Sequence, residues 1–328
     1  MSETSDWQPT AGFEVIQQRA RMLEQLRAFF SERNVLEVGT PMLSRAATTD
    51  VHIDSFQVAD PDLGWQGYLH TSPEFPMKRL LAAGSGSIYQ VCKVFRRAEQ
   101  GARHNPEFSM LEWYRIGFDH HQLMQEVDEF VRSMLSEYIK LAETQSFSYQ
   151  SVFQQRLAIN PFTATVTELK DCAEKHGCPD VIGLGMEESE KDNWLELLMS
   201  HAIEPSLPKN CPVFIYDFPA SQASLARIRN DEFPVAERFE LYIHGMELAN
   251  GFHELADGKE QRQRFENDNH LRQQQGKQQL VMDENLLAAL EQGLPDCAGV
   301  ALGLDRLLML ATGSTKIEQV LSFSFDNA

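Results

Sequence analysis

Two strand-like runs, Ile88 to Arg96 and Phe108 to Arg115, are joined only by a polar loop containing Gly101 and Pro106. A link of this kind closes a hairpin, whereas a parallel crossover needs a dozen or more residues and is usually a helix. The pattern recurs at Arg238 to Ile243 and Met246 to Asn250, which turn at His244-Gly245. Val213 to Phe218 reads as a further strand, and His52 to Val58 alternates like a half-buried one. Helical stretches lie between these pairs: Phe13 to Arg33, striped at Ile16, Ala20, Leu23, Leu26 and Phe30; a helix begun by Ser72-Pro73-Glu74 and ended near Gly84; and His121 to Leu141. Others are expected at Glu168 to His176, near Trp194 to Ala202, from Lys259 to about Gln275, and after the cap residue Asp283. Val300 to Ala311 closes the chain as a strand running into a helix. Hairpins with helices between them specify an α+β fold, an antiparallel sheet flanked by helices. The expectation is one domain over 1–328, with residues 145–210 as a less regular insertion and no internal repeat.

With 328 residues, 42% of them apolar, the chain can bury a large core. Its net charge of −19 repels phosphate backbones, which argues against broad nucleic-acid binding and leaves solubility or a basic protein partner. Five scattered cysteines form no C-x-x-C pair, so neither a disulfide framework nor a zinc ribbon is indicated. The polar start MSETSDWQPT is unlike a secretory signal, and no run approaches the roughly 20 apolar residues of a membrane span. A reduced, soluble, cytoplasmic protein is expected. P-loop, dinucleotide-fold, nucleophile-elbow and H-E-x-x-H motifs are all missing, and His253-Glu254 lacks a second histidine of that spacing.

Three segments combine charge with strand geometry. Phe95-Arg96-Arg97-Ala98-Glu99 followed by Arg103-His104-Asn105-Pro106-Glu107-Phe108 suits a polyanionic phosphate. Gly245 to Glu254 holds two carboxylates and an amide, fit for Mg²⁺ or an ammonium group. Gly299 to Arg306 leads an apolar strand into a helix, with glycines that let a flat ligand approach the backbone. Glu112 and Tyr114, two apart on a strand, face the same way, and a carboxylate beside a phenol suits an ammonium group. The plain alternative for Glu112 is a solvated strand residue.

In this order the segments resemble the three signature motifs of class II aminoacyl-tRNA synthetases, most closely the lysyl-tRNA synthetase catalytic domain. Asn34 to Val38 with Thr40-Pro41 is similar to motif 1, Arg96 to Glu112 to motif 2, and Gly299 to Arg306 to motif 3. The resemblance implies ATP bent over the sheet and Mg²⁺ held by Glu247 and Glu254. Arg96 is implied on the α-phosphate, Arg306 on the γ-phosphate, Arg103 and His104 on the phosphate tail, and Phe108 against adenine. Arg97, Ala98, Glu99, Asn105, Leu248 and Gly303 complete the implied nucleotide contacts. Glu112, Tyr114 and Glu74 imply a lysine-like substrate, with Ser72, Pro73, Asn250, Glu254 and Ala301 around it. Motif 1 implies a homodimer.

Motif 1 begins within the first forty residues, where lysyl-tRNA synthetases carry an anticodon-binding domain, so no tRNA partner is expected. This truncated form, with His104-Asn105-Pro106-Glu107-Phe108 followed by Met110-Leu111-Glu112-Trp113-Tyr114-Arg115, resembles the elongation factor P lysyl-ligase family. That family implies attachment of β-lysine, or lysine, to a lysine of elongation factor P. Two positions depart from the lysyl-tRNA synthetase pattern. Ala301 replaces a glycine, and its methyl group is expected to disfavour an α-amino group, plain packing being the alternative. Ala98 stands where motif 2 has glutamate, with Glu99 one residue later. A non-catalytic regulator and an amide-forming paralogue related to asparagine synthetase are the competing expectations.

Overall fold

The structure is a computed structural model and describes residues 7–178, 185, 187 and 190–328. In chain order its elements are α1 (Phe13–Glu32), β1 (Leu36–Glu37), β2 (Leu43–Ser44), β3 (Gln57–Asp60), β4 (Trp65–Leu69), α2 (Glu74–Ala82), β5 (Ile88–Phe95) and β6 (Glu107–Ile116). Then follow α3 (His120–Leu135), β7 (Gln145–Ser148), α4 (Tyr149–Leu157), α5 (Val166–Lys175), α6 (Lys191–Leu198), β8 (Val213–Pro219), β9 (Ile228–Arg229), β10 (Val235–Ile243) and β11 (Met246–His253). The chain ends with α7 (Gly258–Gln274), α8 (Glu284–Gly293), β12 (Cys297–Gly303) and α9 (Leu304–Thr312). The residues group into two compact units: Met1–Asp119 with Glu129–Ile139 and Ala256–Ala328, and His120–Asp128 with Lys140–Leu255. The opening MSETSD and most of 179–189 lie outside the described residues.

In the first unit β1, β5, β6 and β12 pair in that order, antiparallel except for the parallel edge pair β1–β5. A separate three-stranded sheet runs β2-β4-β3. β6 shows why the strands hold: Trp113 is fully buried and packs on Phe30 and Phe130, with ring centroids 5.4 and 5.6 Å apart. Phe30 comes from the expected apolar stripe of α1, and it also stacks on Tyr89 of β5 at 4.4 Å. Aromatic pairs of this geometry add about 0.5–1.5 kcal/mol each beyond area burial.

In the second unit β10 is the hub, antiparallel to β11, β8 and β9, while β7 joins β8 in parallel. The sheet is therefore mixed, with parallel pairs at the β1 and β7 edges. The β10–β11 turn places both His244 and Gly245 at positive φ, 55° and 68°, as the tight two-residue hairpin requires. Residues expected to be irregular after 145 include β7 and α4, while α5 falls on the expected Glu168 to His176 helix; Tyr149, Phe153 and Leu169 enter one core with Trp194, Ile215 and Tyr242. α5 starts at a complete capping box, Thr165 with Glu168. β7 is a polar edge strand, QSFS, which hydrophobic alternation does not reveal.

Three boundaries differ from expectation. α3 ends at Leu135, not Leu141, where Ser136 Oγ turns back to the Ser133 carbonyl. Only Gln57 and Val58 of the His52 to Val58 region are strand, as the start of β3, while Asp54 is engaged by Arg272 at 2.9 Å. α2 begins at Glu74 with Pro73 at the cap position, while Ser72 Oγ accepts from the Glu74 amide at 3.4 Å.

Candidate active site

Strand register assembles the first unit's site. Phe108, Met110, Glu112 and Tyr114 alternate onto one face of β6, so Phe108 and Glu112 stand about 13 Å apart along it. Glu112 and Tyr114 are 3% and 2% exposed, which rules out a solvated strand glutamate. The Tyr114 hydroxyl donates to Glu112 Oε1 at 2.6 Å. Directly across from Glu112 lie Gln90 on β5 and Ala301 on β12. The Ala301 methyl is thus the side chain β12 sets beside this carboxylate. Cys92, two residues from Gln90, has its thiol pushed up to about 12, by burial first and by the Glu112 charge second.

Gln90 was not singled out from the sequence. It is 3% exposed and its Oε1 is buried with no hydrogen-bond partner. An unsatisfied buried acceptor costs about 1–3 kcal/mol, a deficit that an ammonium donor would remove. The signal available in the sequence was its alternation with Ile88 and Cys92, which puts it in line with Glu112 once the hairpin register is known.

The residues expected to face phosphate sit on the β5–β6 loop and α9. Arg96 lies over the Phe108 ring at 5.2 Å and 3.5 Å from Glu99. Its Nε is buried without a partner. Ala98 adopts φ 66°, so the turn at this point is made in a left-handed conformation that an alanine adopts at a cost. Arg97 instead reaches Asp54 at 3.6 Å. Gly101 and His104 form a bridge that narrows the loop. Arg306 donates to His104 Nε2 at 2.8 Å and to the Arg103 carbonyl at 3.4 Å. Burial, then the Arg306 charge, holds His104 below its ordinary 6.5, so the ring accepts as a neutral base. Asp305, 1% exposed, anchors the start of α9 by accepting from the Ser109 amide at 2.6 Å and from Arg19. Gly303 leaves the space filled by the Arg306 stem, which a Cβ would meet at 3.4 Å.

Two expected residues are occupied by structure. The Asn105 amide is spent on the Glu107 carbonyl at 2.6 Å and the Phe325 amide at 3.1 Å. Glu74 is bound to the buried Lys78 at 2.7 Å, so its charge is already matched. Ser72 and Glu74 line a cavity of about 430 Å³ with Ser44, Arg45, Arg79 and Asp283; Glu112, Tyr114 and Arg96 do not line it.

The second unit concentrates acid on the β10–β11 hairpin. A register shift between Leu241 and Tyr242 sets Glu240 opposite Asn250 and Tyr242 opposite Glu247, with the buried Leu248 as the extra residue. Arg238 donates to Asn250 Oδ1 at 3.2 Å and to Glu240, whose other oxygen accepts from the Tyr242 hydroxyl. Burial pushes the Glu240 carboxyl up; Arg238 opposes this and the Glu247 charge adds to it. Glu240 and Arg238 are thus functional candidates that motif reading passed over; the alternation Arg238-Glu240-Tyr242 was their only sequence trace. Glu254, 2% exposed, lies just past β11 in a bridge to Ala226. No described helix is long and apolar enough to cross a membrane, and all five cysteines are free thiols.

A model of the family described as tRNA synthetases class II (D, K and N) matches residues 6–327. A Vibrio parahaemolyticus protein named elongation factor P–(R)-β-lysine ligase is 49% identical over 325 residues, 98% of each chain. Proteins of the same name from Edwardsiella ictaluri and Salmonella paratyphi B are 49% and 48% identical over 332 aligned positions, covering 100% of both chains in each case.

Proposed function

This chain belongs to the class II tRNA synthetase family, and we propose that it is an ATP-dependent ligase that joins (R)-β-lysine, or lysine, to a lysine side chain of elongation factor P. The observation that carries this reading is the row Gln90, Glu112 and Ala301 across three paired strands, with Tyr114 bonded to Glu112. A buried carboxylate and an unsatisfied amide oxygen are what an alkylammonium needs, and an aspartate-type substrate would want a cation there instead. The methyl of Ala301 occupies space beside that carboxylate and favours an amine displaced by one carbon.

In this reading the substrate carboxylate attacks the α-phosphorus of ATP, pyrophosphate leaves, and an aminoacyl adenylate remains. The acceptor amine then attacks the adenylate carbonyl, AMP departs, and the amine loses a proton. No protein nucleophile is needed; Arg96, Arg306 and His104 bind and orient the phosphates and offset their charge. Phe108 offers its ring to adenine, with Arg96 already above it. The buried Glu240 and the half-buried Glu247, whose charges repel, with the Asn250 amide opposite Glu240, fit a hard divalent cation by their donor chemistry. Mg²⁺ held by these residues would supply positive charge for anionic oxygens. Glu240 supplements the expected pair Glu247 and Glu254. Both units belong to one catalytic domain in this reading. A homodimer, through the exposed edge at Leu36, 57% accessible, and a cytoplasmic setting alongside the translation factor complete it.

ATP–pyrophosphate exchange dependent on β-lysine or α-lysine tests the first step. A mass increase of one lysyl unit on purified elongation factor P tests the second. Exchange with neither amino acid would leave the non-catalytic regulator standing in its place.

A further inference from the structure

A second cluster of ligand-type side chains lies within the second unit and takes no part in the chemistry above. His120 opens α3, Glu237 sits on β10 and His253 ends β11; they are 2%, 9% and 7% exposed. One ligating atom from each lies within 4.8 Å of the others. Among the described residues this is the one group of three or more histidine, cysteine and acidic side chains drawn together in this way.

The surrounding bonds orient the cluster. His120 Nε2 stands 3.2 Å from Asp217 Oδ1, and with its proton donated there the lone pair falls on Nδ1. That Nδ1 is buried and has no partner. Glu237 Oε1 accepts from Arg229 at 3.0 Å, and the same guanidinium reaches Asp217 Oδ2 at 2.7 Å. His253 Nδ1 is 2.6 Å from Glu237 Oε2. A carboxylate behind one histidine and a cation behind the carboxylate ligand are the outer contacts that fix metal-binding side chains.

Charge is compatible with this. When both imidazoles give their lone pairs to a metal, Asp217, Glu237 and Arg229 sum to −1, which a bound cation would offset. Two imidazole nitrogens with one carboxylate oxygen are the donor set of a three-ligand zinc centre. Bonds of about 2.0–2.2 Å place such ligands about 3.3–3.5 Å apart, so on loading the 2.6 Å His253–Glu237 pair opens while His120 draws in.

We propose that His120, Glu237 and His253 bind one divalent transition-metal ion, zinc in the first place, as a clasp tying the start of α3 to β10 and β11. Asp217 and Arg229 are its positioning residues. The test is metal analysis of the purified full chain after zinc loading and dialysis in excess Mg²⁺, which keeps zinc from the oxygen-only set at Glu240 and Glu247. It is followed by titration against a chromophoric zinc chelator. The expected result is one tightly held zinc per chain, and tetrahedral cobalt absorption when Co²⁺ is supplied instead. His120→Gln and Glu237→Gln should abolish this binding, and Asp217→Asn should weaken it about 10–100-fold. Circular dichroism identifies any variant that fails to fold, and the wild-type titration is decisive without them. Trace zinc only in the wild type, or zinc held equally well by folded His120→Gln, overturns the proposal. Neither result bears on pyrophosphate exchange, so this inference and the proposed activity fail separately.

Discussion

The β5–β6–β12 face of the first unit and the β10–β11 hairpin of the second solve opposite electrostatic problems. On the first, Arg306 donates to a neutral His104 and to the Arg103 carbonyl, and Arg96 stands 3.5 Å from Glu99 with a quarter of its side chain exposed. On the second, Arg238 is bonded to Glu240, Asn250 and the Gln222 carbonyl and lies over the Phe218 ring at 4.4 Å. Arg96, partly exposed and 3.5 Å from Glu99, can exchange that partner for phosphate oxygens at little cost. Interlocked buried partners cannot be exchanged, so the hairpin holds its acids in a fixed frame. Function and stability should therefore separate in the first unit and fail together in the second.

The largest effect should come from Arg238→Met. Removing one partner of a buried ion pair costs about 3–5 kcal/mol, so urea unfolding should show that loss along with lost exchange activity. A stable, inactive variant would break the contrast. Arg306→Ala should do the reverse. Pyrophosphate exchange should fall about 10²–10³-fold, the scale for one preorganised charge-stabilising donor, with the unfolding midpoint almost unchanged. A large drop in stability would show that Arg306 is structural.

Ala301→Gly sharpens the reading of the Glu112 row. It should shift the β-lysine to α-lysine ratio of kcat/KM toward α-lysine by up to about 1–3 kcal/mol, the worth of one carbon in a fitted pocket. An unchanged ratio would reduce Ala301 to packing. The smallest effect belongs to His104. Its folded-state pKa lies below 6.5, so the unfolded chain binds the proton first as pH falls through that value. Stability should decline a little as pH drops below 6.5, and His104→Gln should remove the decline; a rise in stability there would reverse the assigned direction.

Much of the fold was legible. The stripe ending in Phe30, the turn at His244-Gly245 and the loop with Gly101 and Pro106 each fix a local conformation, and all three are found. The same local reasoning placed Glu112 and Tyr114 on one face. It went wrong where long-range contacts decide. Asp54 lies before β3 and binds Arg272, far along the chain, and QSFS becomes β7 only because β8 offers it an edge. The contacts of the expected ligand residues Asn105 and Glu74, with the Phe325 amide and with Lys78, are set by the fold as well.

The amino-acid order alone determined the strand and helix alternation, the loop cations and the same-face carboxylate and phenol, because periodicity and turn chemistry act over a few residues. Only the folded chain decided that Gln90 and Ala301 flank Glu112, and that Glu240 meets Asn250 across a bulge. The gathering of His120, Glu237 and His253 from three distant segments was likewise settled only there. Cross-strand register and burial depend on which remote surfaces pack together, and no local pattern encodes them.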